Sequence, residues 1–181
     1  HRFASISNLL RLSNNHTVNI GLDYSVDDVD GDTNYDESSR DNTAGFISWQ
    51  ANQNFRFTSP FVPYWSGVAF GNYNSGTAEL GYWLKNNVQI TLNAGTAFKA
   101  PTFNDLYYPG FSNPDLKAEK SKSYGLGFRG HPDSITTWQI QVFNTKVQDL
   151  IAYDPTSFSM ENINEARIKG VEFVVSTEMY G

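Results

Sequence analysis

Thr17-Val-Asn-Ile-Gly-Leu-Asp-Tyr-Ser25 alternates without a break: Val18, Ile20, Leu22 and Tyr24 fall on one face, and Thr17, Asn19, Gly21, Asp23 and Ser25 on the other. A period of two is the geometry of a β-strand whose two faces meet different surroundings. The pattern recurs with Val88, Ile90, Leu92 and Ala94 against Gln89, Thr91, Asn93 and Gly95, and with Ala78, Leu80, Tyr82 and Leu84 against Thr77, Glu79, Gly81 and Trp83. Gly45, Ile47, Trp49 and Ala51 form another such face, as do Tyr124, Leu126 and Phe128, and Trp138, Ile140 and Val142. With an opening strand over about 3–12, one beginning at Phe55 and a last one over about 163–177, the chain predicts roughly nine strands.

The connections fall into two alternating classes. Short turns are expected near Ser13–His16, Gln53–Asn54, Lys85–Asn87 and His131–Ser134; longer links run over Val26–Arg40, roughly Tyr64–Ser75, Ala100–Lys120 and Asp154–Met160. A meander with short turns at one end and long loops at the other has the form of an outer-membrane barrel, with its short periplasmic turns and long extracellular loops. The expected fold class is therefore all-β: an antiparallel up-and-down transmembrane β-barrel. Alternation alone does not say whether the apolar face meets lipid or a protein interior, so a soluble barrel or β-sandwich serving as a binding or structural domain stays open on pattern. An odd strand count falls short of a closed bacterial barrel, whose count is even, so a partial barrel is expected.

Composition agrees with strands. The 181 residues are 39% apolar, 15% aromatic and only 18% charged, with 14 glycines; that balance suits pleated faces, aromatic girdles and turns better than helices. A net charge of −6 offers no footprint for a phosphate backbone, which argues against nucleic acid as a partner. The absence of cysteine excludes disulfides and thiolate metal sites. No apolar run reaches the roughly 18 residues of a transmembrane helix, whereas a membrane strand needs only about 9–11 residues with alternate ones apolar. The chain opens at His1 without a charged and then apolar leader, so any signal peptide is expected outside it.

Two segments point to a family. Gly95-Thr-Ala-Phe-Lys-Ala-Pro101 leads through Thr102-Phe-Asn-Asp-Leu-Tyr-Tyr-Pro109 into Asn113-Pro-Asp-Leu-Lys-Ala-Glu-Lys-Ser-Lys-Ser-Tyr124, and Ala166-Arg-Ile-Lys-Gly-Val-Glu172 follows later. Both closely resemble barrel segments of the TonB-dependent outer-membrane receptors. Val147-Gln-Asp-Leu-Ile-Ala-Tyr153 is similar to a stretch of the members that transport vitamin B12 (cobalamin). The likeness runs from roughly Val18 to Val175. It implies that residues 1–181 are part of a barrel of about 22 strands, in the outer membrane of a Gram-negative bacterium, with the plug domain, the TonB box and the closing C-terminal strand absent from this piece. It also implies a receptor that captures cobalamin outside the cell and releases it inward when TonB, driven by the inner-membrane proton gradient, acts on the plug. A ferric siderophore or another scarce nutrient is the nearer alternative cargo.

One stretch departs from the family pattern. Pro60-Phe-Val-Pro-Tyr-Trp-Ser-Gly-Val68 stands where such receptors carry an acidic strand, and the likeness resumes at Phe70. Prolines remove ladder donors and are confined to edges or bulges, so either a local loop or a brief slip of the reading frame accounts for residues 60–68.

The remaining motifs lead away from catalysis. Gly125-Leu-Gly-Phe-Arg-Gly130 satisfies G-x-G-x-x-G, but its glycines lie inside a strand and His131-Pro-Asp-Ser134 makes a turn, where a pyrophosphate would need a helix N-terminus. The acidic run Asp27-Asp-Val-Asp-Gly-Asp32, continuing to Asp36 and Glu37, offers oxygens that suit calcium, yet its glycine is misplaced for an EF-hand and a solvated loop is the simpler expectation. The resemblance allows calcium at extracellular loops of an intact receptor, earlier in the barrel than this loop. His1, His16 and His131 stand apart, without metal-ligand spacing. No nucleophile has a sequence-visible base, so the protein is not expected to be an enzyme, and no cofactor is expected. Tyr107 and Tyr108 are the expected substrate-binding residues, because flat aromatics cover a corrin ring at little entropic cost and the resemblance puts their loop at the extracellular mouth. Loop packing would occupy the same rings equally well. Asn104 and Asp105 are their expected companions.

Overall fold

The computed structural model describes residues 1–33, 35, 37–51, 55–62, 73–85 and 87–178. The strands are β1 (Arg2–Ser13), β2 (His16–Asp28), β3 (Ser39–Ala51), β4 (Phe55–Val62), β5 (Tyr73–Asn74), β6 (Gly76–Lys85), β7 (Val88–Lys99), β8 (Glu119–Gly130), β9 (Thr136–Asp154) and β10 (Ser159–Thr177), with a single-turn helix α1 (Phe103–Tyr107) between β7 and β8. Every pairing is antiparallel, and the sheet runs in chain order, with β5 lying beside β4.

Across the sheet the expected nine ranks are present, because β5 and β6 are one rank interrupted at Ser75. Thr58 pairs with Thr77 and Phe61 with Asn74, so the register is the same on both sides of the gap. The interruption falls opposite Pro60, which has no N–H to donate. Pro60 itself stays in register with Phe46 of β3. Of the divergent stretch, residues 60–62 thus belong to a strand, while 63–68 lie outside the described residues, as does the expected turn at Gln53–Asn54.

Register turns the alternation into continuous rows. Leu80, Leu92, Leu126, Val142 and Val171 stand side by side from β6 to β10, and Tyr82, Ile90, Phe128, Ile140 and Phe173 form the next row. This outward face lacks a covering layer: Leu92 is 52% exposed and Val171 68%. Among the described residues the buried apolar side chains include Ala51 of β3 and, in the link after β7, Phe103, Leu106, Leu116 and Ala118. A soluble sandwich buries its apolar face against a second sheet; here the face is open and continuous, as a hydrocarbon-facing belt must be.

The opposite, inward face is polar and kept thin. Ser123 and Thr145 hydrogen-bond at 2.9 Å, and Arg129 Nε donates to Oε1 of the buried Gln89 at 2.6 Å. Phe46 lies across Gly21 of the neighbouring strand and Phe143 across Gly170, so a Cβ at either glycine would meet the ring. Gly125 and Gly127 sit in mid-strand beneath Asn93 and Thr91, which leaves no helix N-terminus for a nucleotide.

Strand ends differ from expectation in one direction. β2 and β3 extend to Asp28 and from Ser39, which trims the link between them to 29–38, and β9 continues from Val142 to Asp154. The expected long link Asp154–Met160 shrinks to Pro155–Phe158, a turn closed by the Asp154 carboxylate accepting from the Thr156 N–H at 2.9 Å. The length is in the hairpin instead. β9 has 19 residues against 12 in β8, and at roughly 3.3 Å per residue the six past the Lys120–Gln148 pair, 149–154, add about 20 Å of strand. Beyond the Lys120–Gln148 pair, β9 is laddered only to β10. Asp149, the first residue past that pair, has φ of 55°, a left-handed conformation that Asp tolerates.

Two outcomes follow for the full-length protein. Val142→Arg on the outward face should cost about 2–4 kcal/mol in urea unfolding from phospholipid vesicles. Gln141→Lys on the inward face, opposite Glu172, should stay within about 0.5 kcal/mol. In the turn before β9, the N–H groups of Ile135 and then Thr136 hold the Asp133 carboxyl below its ordinary range. Its contribution to turn stability is present above the unfolded aspartate pKa and is lost as pH falls through the lower folded value. A carboxyl NMR titration in micelles should therefore give Asp133 a midpoint below that of a model aspartate.

Candidate functional site

The long-loop end of the sheet is organised by the link between β7 and β8. It begins with a capping box: the Thr102 side chain accepts from the Asp105 N–H at 3.2 Å, and the Asp105 carboxylate accepts from the Thr102 N–H at 2.8 Å. The turn so nucleated drives Phe103 and Leu106 inward, where Leu106 packs with Leu116 against Ala44, Tyr107, Ile151 and Met160. Arg40 of β3 holds this link from the side. Its guanidinium lies 4.9 Å from the Phe103 ring centroid, donates to the Pro101 carbonyl at 2.8 Å and pairs with Asp27 at 3.2 Å.

The segment Asn113-Pro-Asp-Leu-Lys-Ala-Glu119 then ties the link to β9 and β10. The Asn113 side-chain amide donates to the Met160 carbonyl at 3.0 Å, and the Met160 N–H donates back to the Phe111 carbonyl at 2.7 Å. Asn162 accepts from the Lys117 N–H at 2.8 Å and donates to the carbonyls of Lys117 and Asp149, at 3.0 and 2.7 Å. The buried Glu119 carboxylate accepts from the Ile151 N–H at 3.1 Å and meets the Lys99 ammonium at 3.4 Å. It thereby satisfies a backbone donor on the edge of β9 where β8 has ended.

Above this scaffold runs a line of aromatic rings. Tyr108 stacks on Phe111 at 4.9 Å between centroids and meets Tyr35 edge-on at 6.2 Å; Phe111 meets Tyr153 edge-on at 6.5 Å. The Tyr35 hydroxyl donates to Asn104 Oδ1 at 2.7 Å, which joins the β2–β3 link to α1. The four expected site residues therefore part company. Tyr108 and Asn104 belong to the aromatic rim, Asp105 is engaged in capping α1, and Tyr107 packs on the leucine pair beneath. Tyr35, Phe111 and Tyr153 are rim members that no local pattern marks, since they come from three separate segments. The one signal available in sequence was the capping pair Thr102-Phe-Asn-Asp105, which announces α1.

The acidic run has its own partners. Asp27 faces His1 and Arg40, and Asp28 faces Arg2 at 3.0 Å and the Ser39 hydroxyl at 2.7 Å. Among the described residues no three acidic or histidine side chains come together in a form that could hold a metal ion; Asp36 lies outside them.

Residues 3–181 match the family described as TonB-dependent receptor-like, β-barrel. The chain is 32% identical over 164 residues to a protein of Vibrio vulnificus named vitamin B12 transporter BtuB, covering 86% of this chain and 27% of that one. A protein of the same name from Photobacterium profundum is 32% identical over 184 residues, covering 93% of this chain and 29% of the relative. The chain thus spans less than a third of the length of these curated relatives. In three dimensions it is similar to the siderophore receptor PirA from Pseudomonas aeruginosa, with a TM-score of 0.74 at 14% identity over 94% of this chain and 38% of that one. It is also similar to the copper transporter OprC, with a TM-score of 0.70 at 16% identity over 99% of this chain and 34% of that one. At such identities the likeness speaks for the fold alone.

Asn162→Ala removes three hydrogen bonds at once, and the loss should weaken the anchoring of the link by about 1–2 kcal/mol. Amide hydrogen exchange on the full-length protein should quicken over residues 113–118 and stay unchanged in β6 and β7; equal rates at 113–118 would show that the asparagine is not the anchor.

Proposed function

The chain belongs to the TonB-dependent receptor β-barrel family, and on that premise we propose that the whole protein binds cobalamin at the extracellular mouth and carries it across the outer membrane. The observation that carries the reading is the relationship to two proteins named as vitamin B12 transporters, each at 32% identity over most of this chain. Physical support comes from the rim Tyr35, Tyr108, Phe111 and Tyr153, a run of flat, low-entropy surfaces at the end of the barrel where ligand arrives. Asn104, already held by the Tyr35 hydroxyl, adds a polar group beside the rings.

On this reading the chain makes and breaks no covalent bond and needs no resident cofactor. Its work is to present the rim, to keep the inward wall polar and thin around a plug supplied elsewhere in the whole protein, and to resist deformation while TonB acts on that plug. Residues 1–181 are then one arc of the barrel, and β1 and β10, each with one strand neighbour here, pair with the remaining strands.

Binding of labelled cyanocobalamin to cells that make the full-length protein is the test. Saturable binding that unlabelled cobalamin displaces and ferric siderophores do not is the expected result; displacement by a ferric siderophore alone would reassign the cargo. Tyr108→Ala, which removes from the rim a flat ring whose contact with the ligand would be worth about 1.4 kcal/mol, should weaken binding about tenfold. Tyr107→Phe should leave it unchanged.

A further inference from the structure

The outward face changes character abruptly toward the long-loop end of β8, β9 and β10. One row beyond Leu126, Val142 and Val171 stand Tyr124, Asn144 and Lys169; the next row is Lys122, Lys146 and Arg167; the next is Lys120, Gln148 and Glu165. Three cations thus lie directly opposite one another across two strand pairs, an arrangement that is unfavourable without counter-charge.

The charges are on the lipid side of the wall. Lys122 shares a surface hollow with Ala78, Ala94, Thr96 and Tyr124, and Lys169 shares one with Tyr124, Leu126, Val142 and Val171. Glu165 is the carboxylate within these rows, reached by Lys146 at 2.8 Å and Arg167 at 3.6 Å. Among the described residues Lys122 and Lys169 have no ion-pair partner. Five cations therefore face one carboxylate, on a chain whose net charge is −6.

Position decides what supplies the missing anions. Lys122 is four residues from Leu126, about 13 Å along the strand, so the cluster sits where the apolar belt gives way to headgroups. At that depth a Lys or Arg costs little, because its stem lies along apolar surface while its charge reaches the interface. We propose that this patch binds the phosphate groups of the outer-leaflet glycolipid, with Arg167 as a fork and Lys122, Lys146 and Lys169 as point charges. The proposal rests on the outward face meeting lipid with the long-loop end outside the cell.

The full-length protein in micelles, titrated with lipid A bearing two, one or no phosphates and read by native mass spectrometry, tests it. Wild type should bind the doubly phosphorylated lipid at least tenfold tighter than the dephosphorylated one, and millimolar inorganic phosphate should not displace it. The triple variant Lys122→Gln, Lys146→Gln, Arg167→Gln should lose at least tenfold in affinity while binding labelled cyanocobalamin as before. Equal affinity for all three lipids, an unchanged triple variant, or displacement by inorganic phosphate would overturn the proposal. Should the triple variant fail to fold, Lys122→Gln and Lys169→Gln carry the comparison singly, each with an expected loss of about threefold. A wild-type protein that stays in solution without detergent would refute the membrane reading itself, a result separate from these.

Discussion

Every strand in this chain obeys one constraint: a peptide N–H or C=O facing hydrocarbon has no water to turn to, so it must be paired with the next strand. The continuous antiparallel ladder from β1 to β10 is the response. Two of its interruptions among the described residues are handled locally. Opposite Pro60, where a donor is missing, the partner rank breaks for a single residue and resumes in register. At the end of β8, where β9 loses its neighbour, the Glu119 carboxylate accepts the Ile151 N–H in place of a strand. The outward belt could not stay open to lipid without the ladder, and the Glu119 contact continues the same pairing above the bilayer.

The same constraint explains what was legible in the sequence. Strict alternation marks the part of a strand with lipid on one side, and there the expected faces and ranks match the observed rows. Beyond the bilayer both faces meet polar surroundings and the alternation dissolves. Asn144, Lys146 and Gln148 continue the outward face of β9 without large apolar side chains, so the strand runs on past the clear alternation ending at Val142 as far as Asp154. Loop parity was visible for the same reason that loop length was not: turns are counted between strands, but their size depends on where alternation stops.

The candidate site was less accessible. The segment around Asn113 that carries the family resemblance is a scaffold, bonding the link to Met160 and Glu119 to Ile151, while the rings it supports come from elsewhere. Tyr35, Tyr108 and Tyr153 lie on separate segments, and their meeting depends on register across the sheet and on the Arg40 contacts. Local reading singled out Tyr108 because it follows a recognisable strand end, and the structure places its ring between Tyr35 and Phe111. Asp105, expected as a companion of the tyrosines, closes the capping box of α1 through its carboxylate.

The tall β9–β10 hairpin bears on how the receptor meets its surroundings. Its tip, Pro155–Phe158, is exposed, and its closing bonds run from Thr156 and Ser157 to Asp154 at the end of β9 and from Ser157 to Glu161 of β10. Foreign sequence spliced between Thr156 and Ser157 would be carried above the lipid surface without disturbing the wall below.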